Sequence, residues 1–176
     1  TYTGPVPMDW DGKVENPKLV CAVSQEPIAA GATFWSALTF VDGHFLRTDY
    51  SETAWTQVDR GGLISWWRQR APTPDGTEAK PIDIEALFGI FHALKDETDR
   101  AKQCFAYVVL LFLVRARKLR FKEVIHEADG SSQILVEDKQ LKCLYRVRDP
   151  GLSADEERTV QANLLEIMGG SAPVRS

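Results

Sequence analysis

The chain lacks a long hydrophobic run, a cysteine framework and a large surplus of charge. Its longest apolar stretch, residues 104–114, is about half of the roughly 20 residues needed to cross ~30 Å of hydrocarbon. That argues against a membrane span and leaves two readings: a helix inside a globular core, or a short helix at an anionic surface held by the basic residues that follow. Cys21, Cys104 and Cys143 are odd in number and widely spaced. They fit a reducing cytoplasm better than a disulfide scaffold. The net charge of −4 argues against a general polyanion binder, though not against a local basic patch. No basic segment followed by an apolar one opens the chain, so no leader peptide is expected.

Catalytic signatures are missing as well. His44, His92 and His126 stand in unrelated contexts, with no Gly-x-Ser-x-Gly elbow and no His-Glu-x-x-His pair. Gly61-Gly62 lacks the lysine and helix start of a phosphate loop. No catalytic residue, cofactor or metal is assigned.

What is present reads as an α+β protein of 176 residues, with 44% hydrophobic and 26% charged content. Residues 1–17 are expected to form an extended arm anchored by Trp10. Residues 18–71 form an antiparallel β-hairpin module: a short strand over 19–24, a strand over 33–41, a tight turn at Asp42-Gly43 and a return strand over 44–50. Trp55, Trp66 and Trp67 follow, either closing the open end of a small sheet or forming a ligand platform. Residues 71–81, with three prolines, read as a surface loop.

The remainder, 82–168, is expected to complete one compact unit with the β module. Ile84, Leu87, Phe88, Phe91 and Leu94 repeat at helical spacing over residues 82–95. This helix should lie antiparallel to the apolar one, which Asp96 or Thr98 could cap. A three-stranded β-meander then occupies 119–127, 133–137 and 142–148, with a second turn at Asp129-Gly130. Ser153 and Glu156 form a capping box for a C-terminal helix with Val160, Leu164, Ile167 and Met168 on its apolar stripe. Gly169-Gly170 ends it.

Three groups carry candidate chemistry. Cys21-x-x-Ser24, on a turn, and Ser51-x-x-Ala54, after a hairpin, either stand where a zinc ribbon places its two knuckles or share this spacing by coincidence. One thiol, two hydroxyls and a methyl are not a zinc set, so the first reading is a degenerate zinc-ribbon-like module without metal, in which Trp55, Phe34 and Leu38 supply burial instead. Arg47 and Asp49 share one strand face and form either a small-anion site or an ordinary ion pair. Arg115, Arg117, Lys118, Arg120 and Lys122, with Arg146 and Arg148, form either a docking patch for nucleic acid or an acidic partner, or a solvated rim.

The pattern Cys21-x-x-Ser24, Gly31, Phe34-x-Ser36-x-Leu38, Arg47-x-Asp49-Tyr50 and Trp55 resembles a group of small uncharacterised bacterial proteins. The resemblance extends through Arg115-x-Arg117-Lys118-Leu119 and the meander to Asp149-Pro150-Gly151-Leu152-Ser153. It implies the fold and a bacterial cytoplasm, and transfers no activity. The expected function is a non-enzymatic interaction or accessory protein with a protein partner, its surface built from Trp55, Trp66, Trp67, Arg47 and Asp49. The alternatives are nucleic-acid binding through 115–122 and a small-molecule enzyme with a site near Arg47 and Asp49.

Overall fold

A computed structural model describes residues 19–73 and 83–169. The arm with Trp10, most of the proline-rich loop and Gly170 lie outside the described residues.

The N-terminal module is a three-stranded antiparallel sheet of order β2-β1-β3. β1 (Thr33–Val41) turns through Asp42 and Gly43, at φ 52° and 80°, into β2 (His44–Ser51). Both turn residues are left-handed, as a type I′ hairpin requires. The third strand, β3 (Ser65–Arg70), runs along the far side of β1, with Ser36 opposite Trp67 and Ala37 opposite Trp66. Trp66 and Trp67 therefore belong to the sheet itself rather than closing its end. The strand expected over 19–24 is reduced to one bridge, Val20 to Pro27, around a tight turn in which Gln25 adopts φ 65°. Pro27 has no N–H to extend a ladder. Ser51 caps the single turn α1 (Glu52–Trp55).

α2 (Ile84–Leu94) starts at Asp83, whose carboxylate accepts from the Ala86 amide at 3.1 Å. Its buried face is Leu87, Ile90, Phe91 and Leu94, with Ile84 and Phe88 partly covered. α3 (Arg100–Arg115) starts one residue beyond the expected caps, on Asp99, which accepts from the Lys102 amide. Phe105, Val108, Val109, Leu110 and Leu113 are at most 1% exposed. The apolar run is thus a core helix. It packs on α2, on α4 (Ala154–Gly169) and on β6 (Cys143–Asp149), while its Phe105 ring stacks 4.1 Å from Phe45 of β2. A helix apolar all round needs this many neighbours.

β4 (Arg120–His126), β5 (Ser132–Asp138) and β6 form the expected meander, in the order β4-β5-β6. Its inner face lays Ile134, Val136 and Val147 on the helices. The capping box of α4 is present in both directions: the Ser153 amide donates to Glu156 at 3.0 Å and the Glu156 amide to the Ser153 hydroxyl at 3.1 Å. One hydrophobic cluster joins Leu38, Phe45 and Trp67 of the first sheet to Val136 and Val147 of the second through all three long helices.

Candidate functional site

The two x-x pairs of the N-terminal module do meet. The chain around Cys21 docks on the end of β2, with the Ala22 amide donating to the Asp49 carbonyl at 2.9 Å. Cys21 is 1% exposed, and its sulfur accepts from the Ser51 amide at 3.4 Å and lies 3.7 Å from the Ser51 hydroxyl. That hydroxyl also accepts from the Ala54 amide at 3.2 Å, so one oxygen links the thiol to the start of α1. Burial pushes the Cys21 thiol up; the amides and hydroxyls of Ser24 and Ser51 outweigh it and bring the group from 9.0 down to about 6. These are hydrogen bonds that stabilise a thiolate. The donor set, one sulfur with two hydroxyls, does not suit zinc.

On the outer face of the same sheet, Trp35 lies opposite Tyr50 and Arg68. The Trp55 ring stacks on Trp35 at 5.0 Å and 7°, touches Tyr50 and Trp66, and carries the Arg60 guanidinium 4.5 Å above it. Glu52 closes the edge, accepting from the Thr33 hydroxyl at 2.7 Å, from the Trp35 ring N–H and from Arg68. The Thr33 hydroxyl and the Arg68 guanidinium hold its carboxyl below the usual range. Trp55 is 4% and Trp67 6% exposed, the latter on the opposite, helix-facing side. The expected tryptophan surface is thereby corrected: Trp55 is buried in its stack on Trp35, Trp67 is buried against the helices, and of the three only Trp66 is exposed. Trp35 completes this stack. Its place on the face opposite Phe34 was the signal that could have revealed it.

Arg47 and Asp49 do share a face, and that face turns inward. The Arg47 Nε donates to Asp49 at 2.8 Å and its Nη1 donates to the Ile167 carbonyl near the end of α4 at 2.8 Å. Asp49 also accepts from the buried Ser36 hydroxyl, which in turn accepts from the Gln69 amide at 2.7 Å. The side chains are 9% and 15% exposed. The arrangement is a clamp between β2 and α4, with its charges already matched.

The basic residues divide. Arg115, Arg117 and Lys118 are exposed at the end of α3. Arg120 and Lys122 both reach Glu137 at 3.7 Å. Arg120, Arg146 and Arg148 share the outer face of the second sheet with Glu123, Glu137, Leu135 and Leu144. That face is mixed rather than uniformly basic. Beside it, a shallow cleft of about 330 Å³ includes Arg100, Gln103, Ser131 and Arg148 in its lining, but Arg100 is committed to the Pro150 carbonyl at 2.9 Å. His44, His92 and His126 are scattered over β2, α2 and β4, and no cluster of three or more His, Cys, Asp or Glu able to hold a metal occurs among the described residues. No described helix is long and apolar enough to cross a membrane. Compared with protein-family models, curated proteins and solved structures, the chain matches none.

Proposed function

We propose that this chain is a non-enzymatic interaction or accessory protein of the bacterial cytoplasm that docks a protein partner on its second sheet. The observation that carries this reading is the outer face of that sheet, where Leu144, 59% exposed, and the half-buried Leu135 and Ile125 stand among Arg120, Arg146, Arg148, Glu123 and Glu137. Single exposed leucines need no explanation, whereas a group set among arginines and glutamates suits a protein interface with an apolar centre and charged rim. Arg146 and Arg148 favour a partner surface bearing carboxylates. The polar residues of the first module support the same reading, since Arg47, Asp49, Ser36 and Cys21 spend their hydrogen bonds inside the fold. The cytoplasmic setting is supported by three free thiols.

Affinity capture with the purified chain, compared with a Leu144→Asp, Arg146→Glu variant, tests this. One protein retained by the wild type and lost by the variant is expected. Turnover of a small molecule by the purified chain, with no partner retained, overturns it.

A further inference from the structure

β4 is an edge strand. No described strand pairs with its far side, and every residue in it except Ile125 is exposed. Such an edge offers unpaired N–H and C=O groups to another strand. A bulge interrupts it: Phe121 lies opposite Val136 and Glu123 opposite Leu135, so Lys122 is the extra residue.

This bulge changes which side chains share a face. Phe121 and Val124 lie opposite buried Val136 and Ile134, so both point to the helix side. Glu123 lies opposite Leu135 on the outer side, and Lys122 reaches outer Glu137 at 3.7 Å. In a regular strand Phe121 and Val124 would face opposite ways. Here the four residues read inward, outward, outward, inward. About a point midway between Lys122 and Glu123 the strand is symmetric in direction, matched in polarity and opposite in charge.

We propose that two copies of this chain pair β4 to β4 antiparallel, about a two-fold axis through that midpoint. Phe121 then lies beside Val124 of the second copy on the inner face, and Lys122 beside Glu123 of the second copy on the outer face. Each contact occurs twice, as a two-fold interface requires. Arg120 falls beside Ile125, both outward. Registers centred on Lys122 or Glu123 would set like charges against each other, which destabilises a cross-strand pair. The lysine and the bulge, devices that usually protect an edge, exclude regular foreign strands while leaving this register open. The result is one continuous sheet made from two three-stranded ones. The contact is narrow beside stable dimer interfaces, so the association is weak and depends on concentration.

Sedimentation velocity over a wide loading range tests this with a charge exchange. The wild type is expected to form a reversible dimer. Lys122→Glu and Glu123→Lys should each weaken it about tenfold, since two attractive pairs become repulsive. The double exchange should restore it to within about threefold. Val124→Lys should leave a monomer. All three substitutions fall at exposed positions, and circular dichroism verifies the fold of each variant. A wild type that stays monomeric, or a dimer indifferent to the exchange, overturns the proposal. None of these variants touches Leu144 or Arg146, so its failure is distinguishable from loss of the docking face.

Discussion

Cys21 shows how a buried ionisable group can be favoured by its neighbours. The folded thiol titrates near 6, against 9.0 for the ordinary group. The folded state therefore binds the proton less tightly, and the stabilisation is fully present above the unfolded value and lost as pH falls through 6. Replacing Cys21 by Ala should cost more stability at pH 8.5 than at pH 5.5, by a few kcal/mol at most. Urea unfolding of both proteins at the two pH values measures this; an equal cost at both would show that no thiolate forms. The same geometry makes a second prediction. With Ser24→Cys, Ser51→Cys and Ala54→Cys together, four thiolates converge where one stands now, and one zinc per chain is expected by elemental analysis. Arg47 is the other decisive residue. Its removal leaves Asp49 and the Ile167 carbonyl short of a donor, so Arg47→Met should cost about 3 kcal/mol in thermal unfolding.

At the scale of elements, local rules were readable and tertiary ones were not. The Asp42-Gly43 turn, the meander, the α4 capping box and the apolar helix follow from neighbours in sequence. Ser153→Ala should cost about 1 kcal/mol, read as a lower melting temperature, because the Glu156 amide loses its acceptor. β3 was illegible because its alternation is masked: Trp67 is inward and buried, while Trp66 on the outer side contacts Trp55. The inward face mixes Ser65 and Gln69 with Trp67, and the exposed outer face opens on Trp66 before Arg68 and Arg70, so polarity does not alternate with burial. The common face of Arg47 and Asp49 could be read from period two, but its direction could not. Charged residues default to solvent, and it takes the α4 carbonyl for Arg47 and the buried Ser36 hydroxyl for Asp49 to hold this pair inward.

At the scale of the whole molecule, the two sheets share one interior. Val136 of β5 and Leu38 of β1 belong to the same cluster, joined through α3. Unfolding should therefore be one transition. All described tryptophans, Trp35, Trp55, Trp66 and Trp67, lie in the first module. Val136→Ala, in the second, should lower stability by about 2 kcal/mol and shift tryptophan fluorescence and far-ultraviolet dichroism together. Separate transitions would show two units.

The Arg47 bond to Ile167 spans 120 positions. A ribosome that has just released β2 still has to make the helix that completes it, which takes on the order of ten seconds. For that interval the nascent first module carries an arginine without its carbonyl and an uncovered helix-facing side. Of the two sheets, the one made earlier is thus the one finished later.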